Sequence, residues 1–343
     1  MSFYDGTKLL SLKDLNGDTP EIYMCTSNRS AGKTTYFSRL IVNRYKRGQG
    51  KFMLLYRFNY ELTEVADKFF KDIKTLFFPN DEMTSKSRMK GIYHDLYIND
   101  EHCGYAVAIN CADQIKKNSH LFSDTACMFM DEFQSETNHY CPHEVDKFIS
   151  IHQSVARGQG EQSRYVPVFM CANPVTLLNP YYTEMDISSR LIPDVKFLRG
   201  VGFVLEQGYV ESASEAQQQS AFNRAFFKNK YVAYASEALY LNDNHAFIEK
   251  MSGKSAYVCT LKYKGKSYAI REYINAGVIY CDTRADESFP FKITVTTDDH
   301  EINYVMLKRC DTFLTSMRQL FEKGCFRFKD LSCKEAVLKA LSY

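Results

Sequence analysis

No stretch of these 343 residues approaches the roughly 20 apolar positions a membrane-crossing helix needs, and the N-terminus has no signal-peptide core. That predicts a cytoplasmic chain with no membrane partner. Charge of one sign is also missing: 43 Lys and Arg against 41 Asp and Glu leave +2, which excludes a histone-like binder but not a locally positive channel in an assembled ring. Internal repeats and long low-complexity tracts are absent. So is the N-K-x-D guanine-recognition tetrapeptide, which argues against a GTPase. Cysteine is plentiful at 11, but odd in number and set within apolar strands at Cys25, Cys127 and Cys171, the pattern of reduced core thiols.

What is present begins with Ser27-Asn28-Arg29-Ser30-Ala31-Gly32-Lys33-Thr34, followed by Thr35 and preceded by the apolar run Ile22 to Cys25. This reads as a phosphate-binding loop between a buried strand and a helix. Its backbone N–H groups and the helix's positive end face phosphate, Lys33 reaches the outer phosphates, and the Thr34 hydroxyl ligates Mg²⁺. The first glycine of G-x-x-x-x-G-K-[ST] is replaced by Ser27. A second element answers the first. Ala126 to Met130 is a short apolar run of the kind buried on both sheet faces, and it ends in Asp131-Glu132. Alone, an acidic pair at a strand end is solvated punctuation; paired with the upstream loop it reads as Walker B. Asp131 then holds Mg²⁺ through water and Glu132 activates the attacking water.

At 343 residues two domains are expected. The first part, 1–207, alternates strands and helices, predicting a mostly parallel sheet covered on both faces. Its strand candidates are Glu21 to Cys25, Phe52 to Tyr56, Ala106 to Asn110, Ala126 to Met130, Val166 to Ala172 and Val195 to Leu205. A helix is expected from Lys33 to about Arg47, and another from about Pro142, opened by that proline, to Ala156. Residues 208–253 read as a helical linker module. From Lys254 the period switches to two: Ala256 to Tyr263, Ser267 to Ile274 and Val278 to Asp282, with turns at Gly265 and Gly277, predict a three-stranded meander. A strand at Lys292 to Thr297 and helices at Ile302 to Phe321 and Cys333 to Leu341 complete a domain over 254–343.

In order along the chain, Ser27 to Thr34, Tyr56 to Leu62, Met130-Asp131-Glu132-Phe133, Ala172-Asn173-Pro174 with Asn179-Pro180-Tyr181, and Thr296-Thr297-Asp298-Asp299 resemble the genome-encapsidation ATPase of phi-twenty-nine-like podophages. The resemblance implies an α/β fold in which an ASCE-type P-loop ATPase domain precedes an α+β domain like a ribonuclease H or terminase nuclease. It implies an ATP- and Mg²⁺-dependent motor, in a homo-oligomeric ring expected to be a pentamer, that pumps double-stranded viral DNA into a prohead through its portal. A packaging RNA is a further expected partner. The protein would work in the host cytoplasm, transiently on the prohead, and would not be integral to the mature virion.

Carried over by position, Lys33, Thr34, Asp131 and Glu132 take the Walker roles, and Arg157 matches the arginine presented in trans to a neighbour's nucleotide. Read on its own, Arg157 is a solvated helix-end arginine beside Gly158-Gln159-Gly160, and Arg164 is the competing candidate. Asn173, at a strand end, is either a γ-phosphate sensor or a turn former. Arg29 approaches phosphate, Arg57 follows a strand and contacts nucleotide or DNA, and Lys116-Lys117 belong to a loop facing either a central pore or solvent.

The first strand of the C-terminal domain contains no acid, although a two-metal nuclease needs a central carboxylate there. With only Asp282, Asp298, Asp299 and Asp311 remaining, a nuclease-like domain without cleavage is expected. This domain carries 15 Lys and Arg against 11 Asp and Glu. Lys262, Lys264 and Lys266 around Tyr263 are either a phosphate contact or an ordinary exposed turn. His139, Cys141 and His143 lack the second ligand pair of a closed zinc site. Against the motor stand a small-molecule kinase and a nucleotide-dependent assembly or partitioning scaffold without DNA translocation.

Overall fold

The computed structural model describes residues 3–157, 160–188, 190–191, 195–237, 240–241, 243 and 246–341. It divides into two compact units, Met1–Glu184 with Leu191–Asn242, and Met185–Arg190 with Asp243–Tyr343.

The first unit is built on nine strands: β1 (Ile22–Thr26), β2 (Lys51–Tyr56), β3 (Met83–Arg88), β4 (Tyr93–Ile98), β5 (Glu101–Ala108), β6 (Thr125–Asp131), β7 (Val168–Ala172), β8 (Phe197–Arg199) and β9 (Phe203–Gln207). Its helices are α1 (Thr7–Ser11), α2 (Lys33–Lys46), α3 (Val65–Phe77), α4 (Ala112–Lys117), α5 (Glu144–Val155), α6 (Pro180–Glu184), α7 (Glu211–Gln219), α8 (Ala221–Ala225) and α9 (Lys230–Glu237). The strand order is β3-β4-β5-β2-β6-β7-β1-β9-β8. The inner run from β5 to β9 is parallel, with β3, β4 and β8 antiparallel at the edges. β7 stands between the strands ending in the phosphate loop and in Asp131, the ASCE arrangement. Central strands read as unbroken apolar runs because both faces are covered. Phe37 of α2 shows how: its ring stacks at 6.1 Å on Phe129 of β6 and 5.8 Å on Phe169 of β7.

Three expectations need correction here. Val195 to Leu205 is not one strand but the antiparallel pair β8 and β9, because Gly200 and Gly202 flank the reversal and Gly202 has φ 77. Pro142 does not open α5; His143 at φ 55 caps it and Glu144 is its first residue. The pair β3 and β4 was not anticipated. Residues 208–253, expected as a linker, carry α7 to α9, which cluster with the first unit as far as Asn242.

The second unit has β10 (Ala256–Tyr263), β11 (Lys266–Tyr273), β12 (Val278–Asp282), β13 (Lys292–Thr294), β14 (Val305–Met306), β15 (Phe326–Phe328), α10 (Asp311–Glu322) and α11 (Leu331–Leu341). The order is β14-β13-β10-β11-β12-β15, an antiparallel meander flanked by parallel strands, as expected of a ribonuclease H-like sheet. The helix expected from Ile302 begins only at Asp311; β14 and a 3₁₀ turn at Leu307–Arg309 occupy the earlier residues. Nine of the eleven cysteines are buried and all are free thiols. Among the described residues no helix is long and apolar enough to cross a membrane.

Candidate functional site

β1 delivers the chain into a tight loop whose two left-handed positions are Ser30 (φ 59) and Gly32 (φ 93). Ser27 is not one of them, so the missing first glycine removes no backbone freedom that this loop requires. Ser27 is buried, its N–H donates to the Ala172 carbonyl at 3.3 Å, and its own carbonyl faces Lys33. Asn28 is fully buried and turned away from the loop's concave side. Its amide donates to the Val210 carbonyl and accepts from the Val210 N–H, both at 3.0 Å, clamping the loop to the segment entering α7. The N–H of Arg29 donates to Ala235 of α9 at 3.0 Å, and Gln217 of α7 donates to Ser30 Oγ at 3.0 Å.

Lys33 opens α2 and folds its ammonium back to the carbonyls of Ser27 (3.0 Å) and Asn28 (3.1 Å) and to Asn173 Oδ1 (3.1 Å). Burial pushes the pKa of this amine down, and the negative potential of Asp131 partly opposes it. β6 places Asp131 beside the loop, where Cys171 Sγ donates to its Oδ1 at 3.0 Å. Glu132 adopts left-handed backbone at φ 52, a strain of the kind that collects at functional sites. Four contacts fix that backbone. The Glu132 N–H donates to Asp131 Oδ1 at 2.9 Å and the Phe133 N–H to the Cys171 carbonyl at 3.3 Å. Arg57 Nη2 donates to the carbonyls of Glu132 (3.3 Å) and Phe133 (3.0 Å). Burial raises the Glu132 pKa above the usual carboxylate range, and the neighbouring Asp131 and Glu136 raise it further.

One cavity of about 780 Å³ brings together Arg29 to Thr35, Asp131, Glu132 and Asn173. The oxygen set of Thr34 and Asp131, on the cavity wall with the phosphate loop, suits a hard divalent cation carried with phosphate. Ser27 and Asn28 shape the loop from behind rather than lining the cavity.

The sequence-predicted Arg57, Lys116, Lys117 and Arg157, and the competing Arg164, do not line this cavity. Arg57, expected to contact nucleotide or DNA, is turned inward: it is 9% exposed, its Nε donates to both carboxylate oxygens of Glu144 at 3.1 and 2.9 Å, and its Cζ lies 4.9 Å from the Tyr140 ring centroid. Lys116 and Lys117 are exposed but form the last turn of α4 rather than a loop. Arg157 follows α5 and is exposed; among the described residues it bonds only its own helix, through Nε to the Gln153 carbonyl (3.1 Å) and Nη2 to Ser154 Oγ (3.5 Å). Gly158 and Gln159 beside it lie outside the described residues. Arg164 is spent internally, donating to the carbonyls of Val155 at 2.9 Å and Thr125 at 3.4 Å.

Glu136 was missed. It accepts from Arg29 (3.1 Å), Tyr234 (2.7 Å) and Tyr231 (2.9 Å), tying the phosphate loop to α9. Burial opposes its ionisation, but the hydrogen bonds from Tyr234 and Tyr231 and the charge of Arg29 outweigh it and hold its pKa below the ordinary value. An acid four residues beyond Glu132, with an arginine in the phosphate loop to complement it, was the available signal. Gln134 was missed too; its Oε1 accepts the N–H groups of Val175 (2.9 Å) and Thr176 (3.0 Å) after Asn173.

In the second unit, Lys262, Lys264 and Lys266 are each paired with a carboxylate, of Glu301, Glu335 and Asp186. That favours the ordinary turn over a phosphate contact. Asp299 accepts from the N–H groups of Lys264 and Gly265 and from Thr296, while Asp282 pairs with Arg271 at 3.0 Å, so these acids serve turns and pairs. His139 stacks on Phe58 at 4.8 Å and Cys141 is buried.

Known proteins carry the same architecture. The DNA packaging proteins of Bacillus phages PZA and phi29 are each 25% identical over 332 residues, covering 95% of this chain and 93% of the relative. A subunit of the bacteriophage Phi-29 viral genome packaging motor assembly superposes with TM-score 0.70 at 22% identity, covering 99% of this chain and all of that one, which establishes a shared fold. The Phi-28 gp11 DNA packaging motor follows at TM-score 0.62 and 15% identity, covering 99% and 98%. The podovirus DNA encapsidation protein (Gp16) description matches residues 2–341, so this chain belongs to that family.

Proposed function

We propose that this DNA-packaging protein is an ATPase that couples hydrolysis of ATP to translocation of double-stranded viral DNA into the prohead. The observation that carries the reading is that one cavity is lined by the phosphate loop with its buried Lys33 and, facing it, by Asp131 and the strained Glu132. Lys33 and the loop backbone hold the β- and γ-phosphates, and the bond from Lys33 to Asn173 supports the reading of Asn173 as the polar group that registers the outer phosphate. Thr34 and Asp131 would hold Mg²⁺, which supplies charge neutralisation between the phosphates. Glu132, ionised, orients the attacking water and accepts its proton. Ser27, Asn28 and Arg29 position the loop, with Ser30, Ala31, Gly32 and Thr35 completing its wall.

The exposed guanidinium of Arg157, bonded among the described residues only to its own helix, supports its delivery to a neighbouring subunit's phosphate, and the internal bonds of Arg164 argue against the competitor. That role calls for a homo-oligomeric ring, which we take as a pentamer on the portal of the prohead, with packaging RNA as a further partner. Lys116 and Lys117 are proposed pore contacts on the strength of their exposure. The domain over 254–343 is proposed not to cut DNA. The test is phosphate release measured with and without duplex DNA and proheads at low salt. Stimulation by DNA, abolished by Lys33→Ala, is expected. A rate indifferent to both would favour the kinase or the assembly or partitioning scaffold.

A further inference from the structure

Asp131 is held from two sides through one oxygen. Its Oδ1 accepts the Glu132 N–H at 2.9 Å and the Cys171 Sγ–H at 3.0 Å, and among the described residues Oδ2 accepts from none. The sheet supplies the second donor: β6 and β7 run parallel with Asp131 opposite Cys171, so the two side chains lie on one face. Cys171 is fully buried, and that burial, with Asp131 beside it, pushes the thiol up, so it keeps its proton and donates. Its carbonyl accepts the Phe133 N–H at 3.3 Å, so one residue of β7 braces the positions on both sides of Glu132. The next two residues reach the phosphate loop. The Ala172 carbonyl accepts the Ser27 N–H at 3.3 Å, and Asn173 Oδ1 accepts from Lys33 at 3.1 Å.

A carboxylate oxygen has room for about two donors, so Oδ1 is filled and Oδ2 is the oxygen left for a cation or for its water. Asp131 lines the cavity together with Thr34. The division between the two oxygens bears on which cation fits. Mg²⁺ demands near-ideal octahedral geometry at about 2.0–2.1 Å, which one carboxylate oxygen suits. Ca²⁺ is larger, takes about six to eight oxygens in flexible geometry, and accepts both from a single carboxylate.

We propose that Cys171 is the positioning residue that makes Asp131 a one-oxygen ligand, and that it thereby sets the preference of this site for Mg²⁺ over Ca²⁺. The thiol aims the carboxylate and does not bind the metal. The inference rests on the nucleotide-binding reading above and adds to it the origin of cation selectivity. Without the thiol, Oδ1 keeps only the Glu132 N–H, the carboxylate is free to turn, and both its oxygens become available to a larger ion. Hydrogen-bonding partners of metal ligands carry roughly tenfold to a hundredfold in metal affinity, so the effect is large enough to measure.

The test is calorimetric titration of the full chain with a non-hydrolysable ATP analogue in three forms: its Mg²⁺ complex, its Ca²⁺ complex, and free of metal beside a chelator. Cys171→Ala should weaken the Mg²⁺ complex by roughly tenfold or more, weaken the Ca²⁺ complex less, and leave the metal-free analogue unchanged. Cys171→Val, which fills the strand position with apolar bulk, should show the same split and guards against a cavity defect. Cys171→Ser keeps a donor and should restore much of the Mg²⁺ over Ca²⁺ ratio. Equal weakening of all three forms would reduce Cys171 to packing and overturn the proposal. An unchanged ratio in Cys171→Val, or a ratio in Cys171→Ser as low as in Cys171→Val, would overturn it as well. Binding of the metal-free analogue that survives Lys33→Ala undiminished would instead overturn the nucleotide-site reading beneath it.

Discussion

Glu132 combines two properties that pull stability and function in opposite directions. Solvent reaches its side chain through the cavity, yet surrounding protein and two neighbouring carboxylates hold its pKa above the ordinary value of about 4.3. A carboxylate whose folded pKa is raised binds its proton more tightly in the native state than in the unfolded one. Stability is therefore lost as pH rises from the unfolded pKa through the folded one, and the loss persists above it. Glu132→Gln should abolish hydrolysis while retaining ATP binding. It should also raise the melting temperature at neutral pH, with the gain vanishing below about pH 4, where glutamate is protonated in both states. Phosphate release, nucleotide titration and thermal melts across pH check all three. Wild-type hydrolysis by this variant would remove Glu132 from the proposed mechanism.

Among elements, the loop after β6 depends on one buried ion pair. Arg57, from the end of β2, spans Glu144 at the start of α5 and the carbonyls of Glu132 and Phe133, and Glu144 also accepts from the Cys141 N–H and the Tyr181 hydroxyl at 2.9 Å each. Glu144→Ala would leave a buried guanidinium uncompensated, at a cost of roughly 3–5 kcal/mol. The expected outcome is a large drop in the urea midpoint together with lost hydrolysis. The double change Arg57→Met with Glu144→Leu should recover much of the stability but not the activity, because the Glu132 carbonyl loses its anchor. A double variant that hydrolyses normally would show that this anchor has no catalytic consequence.

What was legible in the chain follows the same logic. The phosphate loop, β1, β6 and α2 are visible because burial on both faces writes long apolar runs and because the loop's backbone dictates Gly32. Side chains that act through distant partners are not. Arg57 looked like a ligand contact because nothing adjacent in sequence reveals Glu144 as its partner 87 positions away. Asn28 passed as a phosphate-loop residue although its amide is committed to Val210, 182 positions on. β3 and β4 escaped notice because an edge pair with the polar run Thr84 to Arg88 has little apolar patterning. The spacing of 302–310 suits a helix, but Val305 and Met306 pair with β13 instead.

For the whole molecule, the decisive question is whether one chain's site is complete. Among the described residues of the first unit, Arg57 and Arg164 are committed to internal partners and Arg29 is paired with Glu136, whereas Arg157 bonds only its own helix. If that guanidinium completes a neighbour's site, Arg157→Ala should leave ATP binding nearly intact and lower hydrolysis by a factor on the order of 10³ or more, as loss of a supplied arginine does in P-loop enzymes. Arg157→Lys should not restore it, since a point charge lacks the planar fork that matches a transferring phosphoryl group. Mixing separates a shared site from a private one. In preformed mixed rings, an Arg157→Ala subunit keeps Lys33 and Glu132, and a Glu132→Gln subunit keeps its arginine; placed side by side in the right order, they reconstitute one working site. Each variant alone should be inactive and the mixture active, in proportion to the fraction of correctly ordered neighbours. An inactive mixture, with mixed assembly confirmed by mass measurement, would confine Arg157 to its own subunit and remove the basis for a ring that fires through its interfaces.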